Sequence, residues 1–154
     1  MIFSRTVEHA IRALIYLADL PEGRYAMVKD IAEHEKIPAH FLAKILQQLA
    51  RQGMLRSNKG PTGGFRLREP AGNIRLLDVV NMLDGGPACE RCIAGFPECT
   101  DDVPCPLHDS WKALRSRIME YLGRNTIGGL AEAFREKRKA LKPKSRKRPA
   151  AKSR

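Results

Sequence analysis

Four cysteines fall in one short stretch, spaced Cys89-x2-Cys92-x6-Cys99-x5-Cys105, with His108 following after two more residues. Thiolates and imidazoles are the donors that hold zinc, iron and iron–sulfur centres. In a reducing compartment such a cluster reads as a metal or redox site rather than a disulfide framework. Cys89 and Cys92 make a C-x2-C pair, half of a zinc signature, but Cys99 and Cys105 stand too far apart to supply the second close pair. Thiolates accept both zinc and iron, so spacing alone leaves the metal open. Catalysis has no comparable signal. The sequence offers no Cys–His pair with a positioned acid, no phosphate loop, no carboxylate dyad and no thioredoxin-like strand–helix order around C-x2-C, so the chain does not read as an enzyme.

The elements that must position these residues follow from apolar periodicity. Residues 4–19 read as a helix, with Val7, Ala10, Ile11, Leu14, Leu17 and Ala18 on one face and Ser4 as its cap. A short helix over 27–35 is followed by a break at Lys36-Ile37-Pro38 and a helix over about 38–52, whose stripe is Phe41, Leu42, Ile45, Leu46 and Leu49. Residues 54–56 and 65–67 read as two short strands joined by the glycine-rich turn Lys59-Gly60-Pro61-Thr62-Gly63-Gly64. This order of helices and hairpin is that of a winged helix-turn-helix. A helix over 73–84, the cysteine loop over 85–107, and helices over 108–122 and 126–140 complete the body. The expected class is mainly α with a small β-wing: a winged helix-turn-helix plus a long dimerisation helix.

Of the 154 residues, 28 are Lys or Arg and 17 are Asp or Glu, a formal net charge of +11 that points to a polyanionic partner. Most of it is a tail: residues 137–154 hold ten basic residues and no acid, which leaves +1 for residues 1–136. Within that body, Lys36, Lys44, Arg51, Arg56, Lys59, Arg66, Arg68 and Arg75 face a single acid, Glu69, so the segment 36–75 carries +7. The rest of the body is acidic, with Asp84, Glu90, Glu98, Asp101 and Asp102 near the cysteines. The apolar run Ile11–Leu20 is too short and too charged for a membrane span. No cleavable signal peptide is read ahead of it, and the expected location is the cytoplasm.

The element order, the wing KGPTGGFRL, the phrase EPAGNIRLLDVVNMLDG and the cysteine loop ending CPLHDSW together resemble the IscR/NsrR (Rrf-two) family of bacterial winged-helix transcriptional regulators, over residues 1–135. The resemblance implies a homodimeric regulator, a repressor or dual regulator, that often carries an iron–sulfur cluster. Such regulators sense nitric oxide, redox state, iron or iron–sulfur status. Cys92, Cys99 and Cys105 match the three cluster cysteines, with the gap between Cys92 and Cys99 one residue longer than is common. The implied cofactor is a 2Fe–2S cluster, with 4Fe–4S as the alternative. His108 stands where the iron–sulfur-sensing branch has a histidine ligand. Glu8 lies in the helix from which the nitric-oxide-sensing branch takes a carboxylate of the partner subunit. Cys89 is the third candidate for the fourth ligand. The alternative reading is a cluster-free regulator of the same fold, acting through cysteine oxidation, zinc or a protein partner.

The partner expected at the basic segment is a double-stranded DNA operator. Lys29, His40, Phe41, Lys44 and Gln48 are the expected helix contacts, since Lys and Gln can pair with guanine and adenine edges. At the wing the set is Lys59, Gly60, Thr62, Gly63 and Gly64, with Lys59 able to enter a minor groove and the glycines letting backbone approach DNA. Trp111, Leu114, Ile118 and Leu122 form the apolar stripe expected to join two copies. The expected divisions are 1–84 for DNA binding, 85–107 for the sensor loop, 108–140 for the dimerisation and C-terminal helices, and 141–154 for a disordered basic tail.

Overall fold

The computed structural model describes residues 2–102 and 105–141, so the expected basic tail lies, beyond Leu141, outside the described residues. Six helices surround a two-stranded antiparallel sheet: α1 Arg5–Ala18, α2 Val28–Glu35, α3 Ala39–Arg51, β1 Leu55–Asn58, β2 Gly64–Leu67, α4 Leu76–Asp84, α5 His108–Arg124 and α6 Ile127–Leu141. Ser4 caps α1 as its residue type predicts, its hydroxyl accepting the Val7 N–H at 3.3 Å. The break between α2 and α3 turns on Lys36, which takes a left-handed backbone, and on Ile37, which is buried.

One apolar core holds the helices together. Val7, Ala10 and Leu14 of α1, Ile31 of α2, Leu42, Leu46 and Leu49 of α3, and Val79 and Val80 of α4 meet there. Phe65 of β2 closes it, and an isolated antiparallel bridge ties Phe65 to Ala26 beside the wing. The strands pair Leu55 with Leu67 through Asn58 with Gly64, longer than the sequence pattern suggests.

The predicted helix over 73–84 starts later. Ala71–Asn73 form one 3₁₀ turn and Ile74–Arg75 run extended, because this segment bonds to the α5–α6 junction. The Leu76 N–H donates to the Asn125 carbonyl at 2.9 Å and the Ile127 N–H to the Ile74 carbonyl at 2.8 Å. The Asp78 carboxylate then caps α4 by accepting the Arg75 N–H, and Arg75 grips the same carboxylate with its guanidinium. That grip is the main reason the Asp78 carboxyl lies below the usual range.

The C-terminal helices do not form a separate unit. Leu122, Ile127 and Ala131 are buried, and the first two belong to the same core as α1 and α4. Arg135 and Arg138 of α6 reach Asp19 at the end of α1. Residues on both sides of position 84 therefore share one core.

Candidate nucleic-acid interface and cysteine site

The exposed side of α3 is set by its buried side. With Leu42, Ile45, Leu46 and Leu49 inward, the residues at 40, 44, 47 and 51 fall on the opposite face of a 3.6-residue helix. His40, Lys44, Gln47 and Arg51 are all exposed. Lys29 stands exposed in the first turn of α2, and Lys59, Gly60 and Thr62 are exposed at the wing tip. A groove of about 440 Å³ runs between the second half of α3 and the wing, lined by Gln47, Arg51, Asn58 and Lys59 among others. Lys29, Lys44, Arg51 and Lys59 pair with no carboxylate among the described residues, which leaves their charge free for an external anion.

Two of the sequence-selected α3 residues lie elsewhere. Gln48 is half-buried and turns toward α4, where its amide reaches the Met82 carbonyl at 3.4 Å. Phe41 packs edge-on against His9 of α1 at 5.6 Å and adjoins the core. Gln47 and Arg51, which lie off the buried stripe in the sequence as well, were not among the expected helix contacts. The wing glycines also have an internal cause. Gly64 has φ +126°, and a Cβ there would collide with the Ala26 carbonyl. A Cβ at Gly63 would strike the Asn58–Lys59 backbone. Packing of the hairpin on itself and on Ala26 accounts for both positions.

The cysteine loop is organised by the first turns of α5. All four cysteines are free thiols. Cys89 is buried in the 3₁₀ turn Ala88–Glu90, and burial pushes its thiol pKa up. Cys92 has the opposite tendency. Burial alone would raise it, but the Phe96 and Ala94 backbone groups and the neighbouring Cys105 and Cys99 thiols outweigh that and lower it. The Cys105 and Cys99 thiols are thus both neighbours of Cys92.

His108, the first residue of α5, is only 3% exposed. Its Nδ1 lies 3.6 Å from Cys99 Sγ. Its Nε2 lies 2.9 Å from Asp101 Oδ1. Lys112 contacts both oxygens of Asp101 at 2.7 Å, and this ammonium, then His108, lowers the Asp101 pKa. On the other flank, Trp111 Nε1 donates to the Arg91 carbonyl at 3.0 Å. Glu8 is exposed on α1 and makes no side-chain bond to the loop within this chain among the described residues. Among the described residues, no three His, Cys, Asp or Glu side chains close round the position of a single ion. Free thiols grouped about Cys92 beside a buried imidazole fit the donor types of an iron–sulfur cluster. Asp101 and Lys112 are the contributors that sequence reasoning missed, since nothing in their spacing marks them.

On α5, Leu122 faces the core, while Ile118 packs at its edge. Trp111 is half-buried beside the loop, and Leu114 and Tyr121 stand 50% and 54% exposed. Among the described residues no helix is long and apolar enough to cross a membrane.

Comparison with known proteins agrees with this geometry. The family model described as Rrf2, iron-dependent transcriptional regulator, matches residues 3–133. An HTH-type transcriptional regulator of Aquifex aeolicus is 38% identical over 132 residues, covering 84% of this chain and 91% of that protein. CymR of B. subtilis, titled the global cysteine regulator, superposes with a TM-score of 0.72 at 22% identity, over 86% of this chain and 98% of that one. IscR of T. potens does so with a TM-score of 0.71 at 18% identity, over 89% and 90%. The chain belongs to the Rrf2 family of transcriptional regulators, built as a winged helix-turn-helix with no enzymatic role.

Proposed function

We propose that the protein is a homodimeric cytoplasmic repressor that binds double-stranded operator DNA through α3 and the wing, under control of an iron–sulfur cluster held by Cys92, Cys99 and Cys105. The observation that carries this reading is the approach of the free Cys99 and Cys105 thiols to Cys92, with the buried His108 beside Cys99. His108 is the fourth donor in preference to Cys89, which is buried with its thiol pKa pushed up, and to Glu8, which makes no bond to the loop within this chain among the described residues. When bound, a cluster of this ligation supplies a redox-active centre that nitric oxide, oxygen or iron shortage can alter.

The chain's own residues account for the rest. Lys44, Arg51 and Lys59 neutralise phosphates, and each contact releases counterions. His40, Lys44 and Gln47 are presented to base edges. The exposed strip Leu107, Leu114 and Tyr121, continued by Trp111 and Ile118, joins two copies so that two α3 helices read half-sites about 34 Å apart. The loop communicates with the head through α5, whose far end, Leu122, lies in the common core. Moving the protein from mostly unbound to mostly bound requires about 5.5 kcal/mol of differential affinity between the two loop states.

The test is direct. Protein purified anaerobically is assayed for visible absorption, iron and sulfide, and a bound duplex is selected from a random pool. Affinity for that duplex is then measured before and after a chelator strips the iron. Brown protein whose affinity changes on stripping supports the reading; equal affinities overturn it. A colourless protein whose binding responds to peroxide and is restored by a thiol reductant would favour the second reading, direct oxidation of the cysteines. The closeness of Cys92 to Cys99 and Cys105 gives that reading its footing.

A further inference from the structure

The bonds around His108 form a chain that the thiol group by itself does not require. His108 and Lys112 stand one turn apart on the same face of α5, and both converge on Asp101 from the loop. Asp101 is otherwise an exposed loop carboxylate, 70% exposed at its side chain, and Lys112 contacts both of its oxygens. One of those oxygens then faces His108 Nε2 at 2.9 Å. An ionised carboxylate can only accept, so the ring nitrogen it faces must carry the proton. The opposite nitrogen, Nδ1, is left with its lone pair directed to the side where Cys99 Sγ lies, 3.6 Å away. Histidines that ligate metals recurrently hold the second ring N–H on a carboxylate, which fixes the tautomer and makes the ligating nitrogen more basic.

We propose that Asp101, clamped by Lys112, is a positioning residue that locks His108 with Nε2 protonated and Nδ1 offered to the Cys92–Cys99–Cys105 group as its nitrogen donor. This rests on the reading that those thiols hold an iron–sulfur cluster. The device uses two residues of α5, so the fourth donor is built into the helix that also carries the apolar dimer strip. A more basic donor nitrogen favours the oxidised cluster. Releasing Asp101 therefore raises the reduction potential while leaving the three thiolate ligands in place.

The experiment uses the full chain and the variants Asp101→Ala, Asp101→Asn and Lys112→Ala, each with histidine labelled with nitrogen-15. In metal-free protein, nitrogen NMR of the His108 ring reads the tautomer. The expected result is a predominantly Nε2-protonated ring in the parent. Asp101→Ala loses that preference, and Asp101→Asn keeps it because the amide oxygen still accepts. Equal tautomer populations in the parent and in Asp101→Ala overturn the proposal. In protein reconstituted anaerobically with ferrous iron and sulfide, pulsed electron paramagnetic resonance reads nitrogen coupling to the reduced cluster. Coupling in the parent that is lost or weakened in Asp101→Ala at unchanged iron content, with a raised potential, supports it. Coupling and potential unmoved by Asp101→Ala overturn it, as does a parent cluster without nitrogen coupling. A parent that binds no iron and sulfide under these conditions defeats the underlying cluster reading, which is a different failure from an iron-loaded parent indifferent to Asp101.

Discussion

Between Val7 and Val80 every helix contributes aliphatic side chains to a shared core, whereas between Ala88 and Leu107 the buried residue is Cys89 among those described. Ile93 and Phe96, the large apolar groups of that loop, are 56% and 58% exposed. The head is held by burial, which is non-directional and collective. The loop is held by a few directional bonds: Trp111 to Arg91, and His108 with Lys112 to Asp101. A region with little buried area and few bonds opens at low cost. A ligand that orders it can therefore change its state without unfolding the head.

The largest effect that sharpens this contrast is in the core. Leu46→Ala is expected to lower global stability by about 2–5 kcal/mol, read as a shift in the urea midpoint. Cys92→Ser in metal-free protein is expected to stay within about 0.5 kcal/mol. Equal shifts would break the contrast. Next comes Trp111→Phe, which removes the bond to the Arg91 carbonyl while keeping an aromatic ring. It should weaken the loop locally by about 1 kcal/mol. Limited proteolysis of metal-free protein should then cut within residues 90–100 several-fold faster, with the urea midpoint nearly unchanged.

Effects at the reading surface are smaller and concern binding. Lys59→Ala should reduce the salt dependence of DNA affinity by about one unit of slope. Gln48→Ala should leave that slope unmoved, because Gln48 faces Met82. The smallest effect is a pH dependence of the head. Burial first, then Arg12 and Arg5, lowers the His9 pKa, and its Nδ1 is buried without a partner. The unfolded chain takes up this proton near the ordinary value of about 6.5 and the folded chain only at lower pH. The contribution of His9 is thus complete above that value, and stability falls as pH drops toward the lowered folded value. Urea midpoints between pH 7.5 and 5.5 should fall less steeply in His9→Phe than in the parent. Identical slopes would remove His9 from the account.

What the sequence revealed and what it concealed divide along similar lines. α1 to α3 were legible because Leu14, Leu42 and Leu46 recur at the helical period and the breaks carry Pro, Gly or Lys36. The wing was legible from its glycines, two of which, Gly63 and Gly64, are also required by the Asn58 and Ala26 backbones. Periodicity did not show that Ile74 and Arg75 would be extended, since their partners, Ile127 and Thr126, lie more than a whole helix further along the chain. It likewise could not place Leu122 and Ile127 in the core of the head, because an amphipathic stripe does not name what covers it. At the candidate site the ligand types were written in the chain, but Asp101 and Lys112 meet only once the loop folds onto α5. Gln48 was expected among the outward contacts but reaches Met82, because adjacent residues on a helix point about 100° apart and it lies nearer the buried stripe than Gln47.

The staple at the chain's start has a practical side. Ser4 donates to both oxygens of Asp84, through its N–H at 2.7 Å and its hydroxyl at 2.6 Å, and the Ala88 N–H reaches the Ile2 carbonyl at 3.1 Å. The first residues are thus fastened at the root of the cysteine loop, where Gly85 and Gly86 both take left-handed backbones. An affinity tag fused ahead of Ile2 is appended to the hinge of the loop itself. Measurements of cysteine chemistry or DNA affinity on such a fusion would report on the tag as well as on the protein, so the purification handle belongs at the other end of the chain.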